Sequence, residues 1–223
     1  MFLLLGVGHQ CGFHVLETLD GGYLVNDWPE QPSFARHIDS LTAAGKIPEI
    51  IAVGIANVNR IRDFNPTSVK NYPTSGGADK FLNFFYNELI PFMDKNYKTS
   101  GVRLLYGHSA GGLLAVYSML SNPEIFQCLI AASPALSWDN DYPVKLAERK
   151  LPEMKLSQNI YLYMSLGEKD YPRFTGAVKR FEALLKQSRQ ERLDWDFEVF
   201  PGLDHAKAAH RGFVDGIQAC FSK

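Results

Sequence analysis

The stretch Arg103–Leu120, RLLYGHSAGGLLAVYSML, runs an apolar strand-like segment straight into an apolar helix-like one, with small residues at the junction. Glycine inside a strand or helix is destabilising by roughly 0.5–1 kcal/mol relative to alanine. Gly107, Gly111 and Gly112 around Ser109 therefore need a compensating reason. A chain that turns sharply from strand to helix provides one, because side chains two residues before and two after the turn would collide with both elements. GHSAG, Gly107–Gly111, has that G-x-S-x-G spacing and the required flanks. Such a turn raises Ser109 at the carboxyl edge of a parallel sheet, where open α/β folds bind ligands. It also aims N–H groups at the helix start toward the same point, as a developing oxyanion requires. The competing reading is a Gly/Ser-rich turn without chemistry.

The rest of the chain extends the same alternation of apolar runs and amphipathic stretches, the pattern of a parallel sheet covered on both faces. Strands are predicted at Tyr23–Asp27, Glu49–Ile55, Val102–Gly107, Cys128–Ser133, Ile160–Leu166 and Asp194–Phe200, the last alternating more and so expected nearer an edge. Helices are predicted over FARHIDSLTAAG, ending at Gly45, over RFTGAVKRFEALLKQSRQ and over HRGFVDGIQACF. In ADKFLNFFYNELIPFMDKNY, Phe81, Phe84, Phe85, Leu89 and Phe92 fall at helical spacing as core residues, and Pro91 should kink or restart the helix. The apolar run Phe2–Val7 reads as a buried strand. It is shorter than the roughly 20 residues of a membrane span and lacks the basic leader and cleavage site of a secretory signal. No repeat or linker divides the chain, so residues 1–223 read as one domain.

Composition narrows the function. A net charge of −1 leaves no electrostatic footprint for nucleic acid or an anionic membrane. Cys11, Cys128 and Cys220 are scattered and odd in number, which argues against a disulfide framework and for a reducing, cytoplasmic setting. HQCGFH offers His9, Cys11 and His14 as metal ligands without an evident fourth, so no metal is expected.

A serine hydroxyl needs a base to take its proton, and the base needs an acid to hold its tautomer. In sheets with this elbow the order is Ser, then Asp or Glu, then His, each on a loop past a strand. IYLYMSLGEKDYP places Glu168 and Asp170 after one strand, Asp170 in a G-x-x-D turn from Gly167. DFEVFPGLDH places His205 after the next. His9, His14 and His37 precede the serine, His210 lies farther along the last helix, and His108 is inside the elbow with its side chain expected to point elsewhere. Asp204 reads as a turn former. Asp170 is the favoured acid, with Glu168 as the alternative.

The segments GGADKFLNFFYNELIPFMDKNY, GHSAGGLLAVYSML, SPALSWDN and PGLDH together resemble the putative-esterase family of α/β-hydrolases. That family includes esterase D-like enzymes, feruloyl esterases, mycolyltransferases and siderophore esterases. GIANVNRIRDFNPT, Gly54–Thr67, is similar to the siderophore-esterase branch. The resemblance implies an α/β-hydrolase fold, a mostly parallel central sheet with helices on both faces and here a shortened N-terminal strand region. It implies Ser109 as nucleophile, His205 as base and the N–H of Ala110 as one oxyanion donor. Some siderophore esterases of this kind use a Ser–His dyad. The second donor follows a strand that usually reads YLLDG; here YLVNDW stands instead, which points to the N–H of Trp28. Arg62, beside Asp63, is a candidate for substrate contact or for an ion pair within the chain. Trp138, Tyr142, Tyr171 and Phe174 are candidates for an acyl or aryl pocket.

The activity this implies is hydrolysis of small, aryl or siderophore-like esters through an acyl-enzyme, with no cofactor. An acyltransferase would use the same residues, a side activity as perhydrolase would share them, and a catalytically silent binding protein would keep the fold.

Overall fold

The computed structural model describes residues 2–5, 12–27 and 31–223. Among these residues seven strands form one sheet: β1 (Phe2–Leu5), β2 (Phe13–Leu19), β3 (Ile50–Ile55), β4 (Thr99–His108), β5 (Cys128–Ala132), β6 (Ile160–Lys169) and β7 (Leu193–Asp204), in the spatial order β1-β3-β2-β4-β5-β6-β7. β1 runs antiparallel to β3, and every other pairing is parallel. Phe2–Leu5 of the Phe2–Val7 run thus supplies an edge strand, Gly6 and Val7 lying outside the described residues. β7 forms the other edge, as its alternation suggests.

Helices cover both faces because the inner strands are apolar on both. On one face lie α1 (Gly22–Val25), α2 (Phe34–Ala43) and α9 (His205–Ser222), where Leu24, Phe34, Phe213 and Ile217 pack on Leu16, Leu104, Tyr106 and Ile130. On the other lie α3 (Arg60–Phe64), α4 (Ala78–Phe84), α5 (Ile90–Asn96), α6 (Ala110–Ser121), α7 (Trp138–Lys150) and α8 (Pro172–Ser188), packed on Val15, Val53, Leu105 and Leu129. A π-helical turn, Phe85–Leu89, joins α4 to α5, and Pro91 sits in the first turn of α5. The wider turn shifts the helical phase. Phe85 and Leu89 are buried as expected, but Phe92 is 42% exposed rather than core.

Two expectations need correction. Tyr23–Asp27 is not a strand: Gly22–Val25 is a short helix, and the strand lies just before it, at Phe13–Leu19. The β-forming residues Tyr23, Leu24 and Val25 lose to tertiary context. β2 ends at Leu19, Asp20 takes a φ of 57°, and the chain folds back against β3. A Cβ at Gly21 would lie 2.7 Å from the carbonyl carbon of Gly54, so only glycine permits that approach. Cys128 on β5 and Cys220 on α9 form a disulfide, with Cα atoms 6.0 Å apart. Scattered positions in sequence said nothing about α9 crossing β5. With the pair bonded, the cysteines no longer favour a reducing compartment. Among the described residues no helix is long and apolar enough to cross a membrane.

Candidate active site

The elbow carries its strain at the serine. Ser109 has φ 59° and ψ −114°, between the end of β4 and the start of α6. A Cβ on Gly107 would lie 2.3 Å from the carbonyl carbon and oxygen of Gly111, which accounts for the small residues around the hydroxyl. The Ser109 N–H donates to the Ala132 carbonyl at 2.9 Å, locking the elbow to β5. Ala110 opens α6, and the first N–H groups of a helix have no acceptor within it.

β6 and β7 deliver the other two groups. Asp170 follows β6, its N–H donating to the Gly167 carbonyl at 3.1 Å in the expected turn. His205 is the first residue of α9, and Asp204 caps that helix by accepting from the Lys207 N–H at 2.9 Å. The His205 ring Nδ1 and Asp170 Oδ1 are 2.8 Å apart. Burial by itself would raise the Asp170 carboxyl. The His205 hydrogen bond, the nearby Ser133 hydroxyl, the His205 charge and the Tyr171 N–H outweigh it and hold the carboxyl below its ordinary value. Ser133 Oγ and Asp170 Oδ2 are both buried without a hydrogen bond of ordinary geometry, so the hydroxyl acts by proximity. Glu168 is turned away, accepting from the Gly202 N–H at 2.7 Å.

No hydrogen bond joins Ser109 to His205 in this structure, a contact that free enzymes commonly hold loose until substrate binds. What joins the elbow to α9 is His108. Its Nε2 donates to the His205 carbonyl at 3.0 Å, and the two rings are 4.5 Å apart. The His108 side chain is thus directed away from catalysis by the turn, as expected, but lands on His205, a contact the sequence did not suggest. Burial, reinforced by the neighbouring His205, pushes His108 down to about 3, so it stays neutral.

Ser109 and Ala110 open onto a cleft of about 780 Å³, with Trp138, Phe174, Tyr72, Arg60, Lys70 and Arg173 on its walls. Trp138 is fixed by a 3.0 Å bond from its Nε1 to Thr67 Oγ1 and by stacking on Tyr72. Three consecutive residues beyond it, Asp139, Asn140 and Asp141, take positive φ, and the first two reach the cleft wall. Tyr171 packs its ring 4.9 Å from that of His205. Tyr142 packs against the hydrophobic core instead. Arg62 belongs elsewhere: it pairs with Asp63 at 2.7 Å and lines a separate cavity of about 430 Å³. Arg60, two residues earlier and not singled out from the sequence, is the arginine on the Ser109 cleft. Trp28, His9 and Cys11 lie outside the described residues. His14, the described member of the candidate metal set, has Nδ1 2.8 Å from Ser100 Oγ.

The sequence model of the family described as "Putative esterase" matches residues 9–214. The chain belongs to this family. It is 30% identical over 140 residues to a ferri-bacillibactin esterase of Bacillus subtilis, covering 61% of this chain and 43% of that protein. It is 33% identical over 135 residues to a siderophore triacetylfusarinine C esterase of Aspergillus fumigatus, covering 56% and 45%. The chain thus spans less than half the length of these two curated relatives. An IroE-like serine hydrolase from Shewanella oneidensis superposes with a TM-score of 0.87 at 24% identity, over 99% of this chain and 75% of that one, which establishes the α/β-hydrolase fold.

Proposed function

We propose that this member of the esterase family is a serine ester hydrolase. Ser109 attacks the ester carbonyl, His205 takes its proton and returns it to the leaving alcohol, and Asp170 rather than Glu168 holds the imidazole. Water then releases the acyl group by the same route in reverse. One observation carries the reading: the 2.8 Å His205–Asp170 pair stands beside a strained elbow that presents Ser109 to an open cleft.

The Ala110 N–H serves as one oxyanion donor. The second comes from the turn after β2, the strand beside β4, rather than from the YLVNDW segment. In that turn the N–H groups of Gly21, Tyr23 and Leu24 donate to the carbonyls of Ile55, Asp20 and Gly21. Gly22 makes no such bond, and its N–H is the donor proposed in place of Trp28.

Aryl or siderophore-like esters suit the cleft best. Trp138, Tyr72 and Phe174 offer aromatic faces, and Lys70 and Arg173 offer positive charge to phenolate or carboxylate groups. The curated relatives act on siderophores by name. Ser109→Ala should abolish p-nitrophenyl acetate hydrolysis, a loss of roughly 10⁴-fold or more, and prevent fluorophosphonate labelling. A variant that keeps the wild-type rate removes the nucleophile. An ester panel including catecholate and feruloyl substrates then ranks the acyl groups.

A further inference from the structure

Arg60 lies on the wall of the Ser109 cleft, yet its guanidinium faces the protein. Its Nε is 2.8 Å from both carboxylate oxygens of Asp20, and its Nη2 donates to the His108 carbonyl at 2.9 Å. The Phe64 ring lies beneath it, 5.4 Å from Cζ. Asp20 is the first residue past β2 and His108 immediately precedes Ser109. One side chain therefore spans the turn that carries Gly22 and the elbow that carries Ala110.

The sheet itself does not make this connection. The β2–β4 pairing ends at Thr18 and Tyr106, before either loop begins. Beyond that point the two loops leave different strands in conformations of positive φ, at Asp20 and at Ser109. Oxyanion donors work only when both lie about 2.7–3.1 Å from one oxygen, so two loops without a shared ladder need another restraint. A forked guanidinium is suited to the task, because it holds two acceptors in a fixed plane as a lysine ammonium cannot.

We propose that Arg60 is a positioning residue, setting the separation of the Asp20–Gly22 turn from the Ser109 elbow and so the fit of the oxyanion site. The proposal rests on the serine-esterase reading above. It differs from a substrate-binding role for the same arginine in what it does to turnover: a displaced donor weakens the transition state, not the ground-state complex.

The test compares wild type, Arg60→Gln and Arg60→Lys on p-nitrophenyl acetate, each titrated with a fluorophosphonate probe. A misplacement of about an ångström costs roughly 10²-fold. We expect kcat per titrated site to fall about 10–100-fold in both variants with KM within about threefold of wild type. Labelling of Ser109 should slow in parallel yet reach the wild-type end point, whereas a merely misfolded fraction would lower the end point and leave the rate of the rest unchanged. A raised KM with unchanged kcat, a Lys variant equal to wild type, or a lowered end point with normal rates overturns the proposal. If both Arg60 variants fail to fold, Asp20→Asn, which keeps the shape and loses the charge, should still lower kcat per site; an unchanged value there overturns it equally. Ser109→Ala run alongside separates the two levels. Activity in that variant removes the serine reading, and its loss with intact Arg60 variants removes only the clamp.

Discussion

Ser109 holds a conformation that costs an ordinary residue about 1–3 kcal/mol, and the neighbouring glycines make it sterically possible rather than favourable. The proposed chemistry around it turns on which carboxylate meets His205. Asp170 and Glu168 are two residues apart, and their order along the chain allows either. Only the pairing of β6 with β7 sends one to His205 and the other to the Gly202 N–H. Asp170→Asn should therefore lower kcat by about 10⁴-fold by losing the productive imidazole tautomer. Glu168→Gln should stay within a few-fold of wild type, read from steady-state ester hydrolysis. Equal losses in the two variants would remove the assignment. His108 shows a limit of motif reading: G-x-S-x-G leaves its second position unspecified, and contact with His205 depends on a residue 97 positions away.

At the scale of elements, α9 carries His205 at its first residue and Cys220 near its last. The bond to Cys128 and the Tyr106 hydroxyl donating to the Ala209 carbonyl at 2.9 Å anchor the helix across the sheet. The cysteines are 92 residues apart. Opening such a cross-link typically costs about 2–4 kcal/mol, hence roughly 5–15 °C in Tm for a chain of this size. Cys220→Ser, or dithiothreitol on the wild type, should lower the calorimetric Tm by that much; no change in either case would mean the bond contributes nothing. The strand β2 was hidden from pattern reading because Glu17 and His14 interrupt its apolar run, whereas YLVND reads as a better strand and is not one. The difference is tertiary. A strand flanked by β3 and β4 can bury a carboxylate if an arginine faces it.

For the molecule as a whole, that carboxylate ties stability to pH. Glu17 on β2 is fully buried, with Oε1 3.5 Å from Arg103 Nη1 of β4. Arg103 also contacts Asp94 at the end of α5. Burial outweighs the Arg103 attraction and pushes Glu17 up to about 8. Its folded pKa thus lies above the unfolded value of 4.5, so between these pH values the folded state binds more protons. Stability is then lost as pH rises through that window. Thermal melts should show wild type losing stability relative to Glu17→Gln from pH 5 to pH 8, whatever the offset at pH 5. A constant difference would contradict the burial of an ionisable carboxyl there. Buried His108, pushed to about 3, acts with the opposite sign. It disfavours the folded state as pH falls below the ordinary histidine range, because the unfolded chain takes up the proton first.

Local order along the chain determined the elbow, six of the seven described strands and the order of Ser109, the Glu168–Asp170 loop and His205. Those signals are short-range: apolar periodicity, small residues beside a tight turn, and a loop after each strand. What only the tertiary structure decided depends on groups distant in sequence meeting across the sheet. It paired Asp170 with His205 and Glu168 with Gly202, turned His108 onto His205, replaced the Tyr23–Asp27 strand by Phe13–Leu19, paired Cys128 with Cys220 and aimed Arg60 at Asp20 and the elbow. Each of these is a partner choice. A residue's own type limits which partners are chemically acceptable, while strand order and register determine which acceptable partner is within reach.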